Sequence, residues 1–225
     1  MTTALPPGAS ARMHDAGRVF ARYYLLGGFR VRAHGLHRVP RTGPVVLVAN
    51  HSSMVEPQLI FGMLPRRSVF LVKDGLFRGA AGWFLRRIGQ VPVHRGRPDR
   101  APLLTAVEVL RNGGLVGIFP EGTRGTGDVA SAERGAAWLV RASGATVLPV
   151  ATRGTLRPPG AARRFRPVVD VLVGEPFTLD VGRGRVGLED ATERLRDELA
   201  ALVRTLDERR GEASRRKGKR NDDRA

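Results

Sequence analysis

The chain has 225 residues, no cysteine and a formal net charge of +17, from 38 Lys and Arg against 21 Asp and Glu. That length suits one domain with a full hydrophobic core, and the absence of cysteine excludes a disulfide framework, thiolate metal ligands and a cysteine nucleophile. No stretch approaches the roughly 20 uninterrupted apolar residues of a spanning helix and the N-terminus has no apolar signal core, so the sequence reads as a chain not threaded through a membrane.

In chain order, residues 1–28 form an N-terminal segment. Its first eleven residues are small and Pro-rich, and Arg12 to Arg22 then lead into Val19, Phe20, Tyr23, Tyr24 and Leu25. As a helix this stretch sets Phe20, Tyr23, Tyr24 and Gly27 on one face among Arg12, Arg18 and Arg22. That pattern serves equally an interfacial membrane helix and a terminal helix covering the core. From Phe29 the alternation Phe29, Val31, Ala33 predicts a first strand, and Val45 to Ala49 a buried central strand. A helix is expected from Pro57 to Met63, a strand from Ser68 to Lys73, a helix from Leu76 to Ile88 and a short strand over Val91–Val93. Asp99 reads as the cap of a helix ended by Gly113-Gly114, followed by a strand over Leu115–Phe119. A helix over Glu133–Ser143, a strand over Val147–Ala151, a late edge strand over Val168–Val173 and a charged helix over Glu189–Arg210 complete the domain. Leu195, Leu199, Leu202 and Leu206 mark the inward face of that last helix. Strands alternating with helices predict an α/β fold: one domain, residues 29–210, with a central mostly parallel sheet covered by helices on both faces. Residues 211–225 read as a disordered polar tail.

Only Lys73, Lys217 and Lys219 are lysines, a preference for arginine that a GC-rich coding sequence explains. The surplus of base over acid is a separate matter. Six basic and three acidic residues lie from Gly211 onward, so +14 of the +17 stays with the rest of the chain. A field of that sign favours anionic partners such as lipid head groups, phosphorylated substrates or an acidic carrier protein. Nucleic acid is not expected, because clustered aromatics and recognised modules are missing.

The strand ends carry the chemistry. The central strand runs into Asn50-His51-Ser52-Ser53-Met54-Val55-Glu56-Pro57, a base followed by an acid. Imidazole has an ordinary pKa near neutrality and is the default general base. Residues five apart are about 140° apart around a helix, so His51 and Glu56 can meet only through a turn or a helix start. Other strand ends give Lys73-Asp74-Gly75, His94-Arg95-Gly96 and Phe119-Pro120-Glu121-Gly122-Thr123-Arg124. If the strands are parallel, these loops gather one base, acids and the cations Lys73, Arg95 and Arg124 at one sheet edge. Such a site suits a phosphorylated substrate whose hydroxyl must lose a proton. Ser52 or Ser53 as a nucleophile is a rival scheme. His34 and His37 resemble a metal pair without a third ligand, and no metal is expected.

These segments resemble, in order, the four blocks of the glycerolipid acyltransferase superfamily, which includes the 1-acylglycerol-3-phosphate acyltransferases. The first block is His51 to Glu56, with Glu where the family usually has Asp. The second is Val91-Pro92-Val93-His94-Arg95, with His94 where relatives commonly have Asp or Asn. The third, Phe119 to Arg124, is intact, and the fourth is Val147-Leu148-Pro149-Val150. The resemblance implies an O-acyltransferase without cofactor, moving a fatty acyl group from acyl-CoA or acyl carrier protein to a lysophospholipid hydroxyl. Lysophosphatidic acid becoming phosphatidic acid is the main expectation. A glycolipid, ornithine lipid or glycerol 3-phosphate is the alternative acceptor, and a catalytically silent lipid-binding relative a further alternative. It implies His51 as base and Glu56 as its orienting acid, with Lys73, Arg95, Glu121, Gly122, Thr123 and Arg124 binding the acceptor. It further implies a cytoplasmic protein peripheral on the inner, anionic face of the cell membrane.

Overall fold

In a computed structural model of the chain, the described residues are 4–94, 100–122, 125–156, 160 and 165–222. Seven strands form one sheet: β1 (Arg30–His34), β2 (Val45–Ala49), β3 (Val69–Lys73), β4 (Val91–Val93), β5 (Leu115–Ile118), β6 (Thr146–Arg153) and β7 (Val168–Val173), in the order β1-β7-β6-β2-β5-β3-β4. β2, β3, β4, β5 and β6 are mutually parallel. β7 runs antiparallel to β6 and carries β1 parallel to itself. The mostly parallel α/β domain expected from the alternation of elements is present.

The helices are α1 (Ala11–Gly28), α2 (Val55–Met63), α3 (Gly79–Arg87), α4 (Ala101–Arg111), α5 (Gly135–Ser143) and α6 (Gly184–Asp222). Period-two alternation along β2 sorts them onto two faces. Val45, Leu47 and Ala49 pack with Leu25 of α1 and with Leu59, Ile60 and Phe61 of α2, while Leu85 of α3 joins the same cluster. Val46 and Val48 pack on the other face with Ala106, Val109 and Leu110 of α4, Leu139 and Val140 of α5 and Leu195 of α6. Strands covered on both sides read as continuous apolar runs, and all five residues of β2 are buried.

Several elements differ from the sequence reading, each for a local reason. Val168–Val173 is an interior strand between β1 and β6, not an edge, and five of its six residues are buried. The helix expected from Leu76 begins at Gly79, because Leu76 lies in a 3-10 turn (Asp74–Leu76) and Gly79 takes φ +54°, where a helix cannot continue. α2 begins at Val55, so Pro57 sits inside the first turn, where its missing N–H has no helical partner to lose. α6 extends both ways past Glu189 and Arg210, reaching Asp222 through the stretch read as a disordered tail. No proline interrupts it, and Glu212, Ala213, Arg215, Arg216 and Lys217 are good helix formers.

α1 covers the core with one side and exposes the other. His14 is fully buried: Nδ1 lies 2.6 Å from the Ile88 carbonyl and Nε2 accepts from the Ser68 N–H at 3.3 Å. Asp15 accepts two bonds from Arg67, at 2.9 and 2.6 Å, and the Arg18 guanidinium turns inward to the Leu64 carbonyl. Phe20, Tyr23 and Tyr24 are 69%, 71% and 69% exposed, and the rings of Phe20 and Tyr24 stack 6.0 Å apart.

Candidate active site

β2 is the strand from which the site is built. The chain leaves β2 toward the α1–α3 face through α2, and leaves its neighbour β5 toward the α4–α6 face through α5. Adjacent parallel strands whose exits go to opposite faces open a crevice at their carboxyl ends, the usual ligand position in open α/β sheets. His51 follows β2 and Glu121 follows β5, so both stand at this crevice.

Asn50, with no exposed surface, clips the end of β2 to its surroundings. Its Nδ2 donates to the carbonyls of Gly127 (3.1 Å) and Thr152 (3.0 Å), and its Oδ1 accepts from the Thr152 N–H at 2.8 Å. The next residue, His51, is therefore placed by a strand end fixed on both sides. The His51 carbonyl is fixed as well, accepting from the Gly125 N–H at 3.0 Å.

His51 and Glu56 meet at the entrance of α2. His51 Nδ1 lies 2.9 Å from Glu56 Oε2, which also accepts the backbone N–H groups of Ser52 (2.8 Å) and Ser53 (3.1 Å). Glu56 Oε1 accepts from the hydroxyls of Ser52 and Thr155, the latter at 2.6 Å. Burial opposes ionisation of this fully enclosed carboxyl. The bonds from His51, Ser52, Thr155 and the Ser53 backbone outweigh it and hold the pKa below the ordinary value. An ionised acceptor on Nδ1 selects the tautomer with its proton there and leaves the lone pair on Nε2. Among the described residues nothing hydrogen-bonds to Nε2, which leaves an open acceptor on a side chain only 9% exposed.

The β5 exit forms the opposite wall. Glu121 Oε1 accepts the His51 backbone N–H at 2.7 Å, so among the described residues this acid bears on the base itself. Burial raises the pKa of Glu121, and the His51 N–H bond only partly offsets it. Gly122 turns the chain with φ +66°, and a Cβ there would strike the Glu133 carboxylate. Phe119 lies 4.5 Å from the His51 ring, centroid to centroid, and stacks on Phe70 at 6.1 Å, giving the imidazole an apolar flank.

Of the residues expected at the site, the structure thus brings together His51, Glu56, Glu121 and Gly122. Lys73 ends β3 at the same sheet edge, with its side chain exposed. Arg95, Thr123 and Arg124 lie outside the described residues, as does Asp99. His94 faces Asp74 across 3.4 Å at the adjoining ends of β3 and β4. Among the described residues neither serine hydroxyl is bonded to the His51 ring: Ser52 Oγ donates to Glu56 and lies 3.2 Å from Thr155 Oγ1, and Ser53 Oγ accepts from the Val55 N–H. Among the described residues no group of three or more His, Cys, Asp or Glu is placed to hold a metal ion. Sequence reasoning missed Thr155, the structural role of Asn50, and Arg153. Arg153 ties Asp207 of α6 and Asp128 of the loop after β5 to the end of β6.

The Acyltransferase family model matches residues 30–153, more than half of the sequence and all of the crevice described above save Thr155. The chain belongs to this family. Within it, the similarity is to its glycerolipid, PlsC-like members. A 1-acyl-sn-glycerol-3-phosphate acyltransferase of Bacillus subtilis is 31% identical over 156 residues, covering 68% of this chain and 75% of the relative. The enzyme of the same name from Pseudomonas aeruginosa is 27% identical over 175 residues, covering 76% and 67%. The chain spans only 41% of the Arabidopsis thaliana chloroplast relative LPAT1. Among solved structures, the 1-acyl-sn-glycerophosphate (LPA) acyltransferase PlsC of Thermotoga maritima superposes with a TM-score of 0.67 at 25% identity, covering 88% of this chain and 79% of that one.

Proposed function

We propose that this member of the acyltransferase family moves a fatty acyl group from a thioester donor, acyl-CoA or acyl carrier protein, to the hydroxyl of lysophosphatidic acid, giving phosphatidic acid. The observation that carries the reading is the buried His51–Glu56 contact of 2.9 Å with Nε2 left open. The names of the relatives supply the acceptor class. The acceptor hydroxyl oxygen attacks the thioester carbonyl carbon while its proton passes to His51 Nε2. The tetrahedral intermediate then expels the thiolate, which takes that proton back as the C–S bond breaks, leaving ester and free thiol. Glu56 stabilises the imidazolium formed between the two steps, as the acid of a hydrolase triad does. No covalent acyl-enzyme is needed.

Lys73, Arg95 and Arg124 would hold the acceptor phosphate, and Gly122 and Thr123 are assigned to the same acceptor site. Glu121 belongs to the same site through the His51 N–H. The protein works as a peripheral enzyme on the anionic inner face of the cell membrane. The exposed aromatic side of α1 is its apolar contact and the net charge of +17 its electrostatic one. No helix among the described residues is long and apolar enough to cross a membrane.

His94 in the second block favours one second reading, the same chemistry on another acceptor: a glycolipid, an ornithine lipid or glycerol 3-phosphate. The test is an acceptor panel with one acyl-CoA, read by mass spectrometry. Phosphatidic acid as the dominant product supports the main reading. Preferential acylation of another acceptor selects the second, and no product from any acceptor points to a silent lipid-binding relative.

A further inference from the structure

We propose that Thr155, acting with Ser52, is a positioning residue of the dyad, and that its hydroxyl holds the Glu56 carboxylate against His51 Nδ1. The rate arm of the test below rests on the acyl-transfer reading, and the spectroscopic arm does not. Thr155 stands 99 positions from Glu56, outside the four sequence blocks, yet its Oγ1 donates to Glu56 Oε1 at 2.6 Å and lies 3.2 Å from Ser52 Oγ. An ionised carboxylate offers about four lone-pair sites. Here Oε2 takes the His51 ring N–H and two backbone N–H groups, and Oε1 takes the two hydroxyls. The donors to Oε2 are local to the entrance of α2. Those to Oε1 are the hydroxyls alone, and without them a buried oxygen would have no partner and the carboxylate would turn away from Nδ1.

The Thr155 hydroxyl is delivered by a fixed turn. Gly154 takes φ +94°, and a Cβ there would collide with the Val168 carbonyl. Arg153, just before it, is held by two bonds to Asp207, both 2.9 Å, and by Asp128. The hydroxyl therefore marks a set distance from the entrance of α2. An aspartate at position 56 would stop about 1.5 Å short of it, one C–C bond.

The test compares Thr155→Val, which keeps the shape and removes the donor, with Thr155→Ser, which keeps the donor. One readout is the proton NMR signal of the His51 Nδ1–H, assigned by its loss in His51→Ala. The other is kcat and KM for acyl transfer to lysophosphatidic acid in liposomes. Thr155→Val is expected to shift the Nδ1–H signal upfield or lose it, and to lower kcat by about tenfold with KM unchanged, as loss of a hydrogen bond to a charged group predicts. Thr155→Ser should restore both. In a Glu56→Asp background, Thr155→Val should cost nothing further, because the shorter acid does not reach that hydroxyl. A wild-type Nδ1–H signal in folded Thr155→Val overturns the proposal, as does an equal loss of kcat in both backgrounds. If the wild type does not acylate lysophosphatidic acid, the acceptor assignment fails while the NMR comparison still decides the role of Thr155.

Discussion

At the scale of single residues, the proposed mechanism depends on one carboxylate, Glu56, being charged and in place. Glu56→Gln keeps the size and removes the charge, so the imidazolium loses its counter-ion and the tautomer its determinant. A fall in kcat of about 10³–10⁴ is expected, by analogy with the amide variant of a triad acid, with the fold intact by circular dichroism. Glu56→Asp should lose less, because the Ser52 and Ser53 N–H groups remain at the helix entrance. His51 and Glu56 were legible because both fall in one short stretch after an apolar strand, and because the other blocks follow in order. Their meeting through a helix start was legible too, from the 140° that separates five residues on a regular helix. Thr155 was not legible. A hydroxyl that acts across 99 positions leaves no pattern in the linear chain, and only the pairing of β2 with β6 brings it near.

At the scale of elements, the docking of α1 carries two predictions. Gly62 of α2 lies against α1 so closely that a Cβ would meet the Arg22 backbone nitrogen at 2.8 Å. Gly62→Ala should displace α1 and cost about 1–3 kcal/mol of stability, read by chemical denaturation. His14 sets a pH dependence. Burial lowers its pKa from 6.5 to about 4, with the Ile88 carbonyl bond only partly opposing. Above pH 6.5 both folded and unfolded chains hold it neutral. As the pH falls from 6.5 toward 4 the unfolded chain binds a proton that the folded one refuses, so stability drops over that window by up to about 3 kcal/mol and then levels off for this group. Glu56, with its pKa lowered in the fold, adds a further loss as the pH falls below its ordinary value. Urea titrations from pH 7 down to pH 4, with His14→Gln for comparison, check the first window. The sequence read α1 two ways, and the structure explains why: one side packs on the core through His14, Gly17 and Leu25, while the aromatic side is exposed. The edge assignment of Val168–Val173 failed because late position in the chain says nothing about lateral order. β7 is drawn inside by β1, whose partner it is.

At the scale of the whole molecule, the proposed membrane contact joins a positive field to an exposed aromatic helix face. Binding to liposomes with an anionic lipid should weaken steeply with added salt, and Phe20→Ser with Tyr23→Ser should weaken it at every salt concentration, as cosedimentation will show. The mostly parallel sheet was legible from the alternation of strands and helices. Its strand order was not, because β5 inserts between β2 and β3, a choice made by packing on two faces rather than by any local signal. That insertion is what places Glu121 on the His51 backbone. The central claim, that His51 is the general base for acyl transfer, is tested most directly by single-turnover acylation of lysophosphatidic acid in liposomes, wild type beside His51→Ala, with phosphatidic acid read by mass spectrometry. Product from the wild type, and a rate lower by about 10²–10⁴ in a folded, membrane-bound His51→Ala, is the predicted result. Equal rates in the two proteins would contradict it.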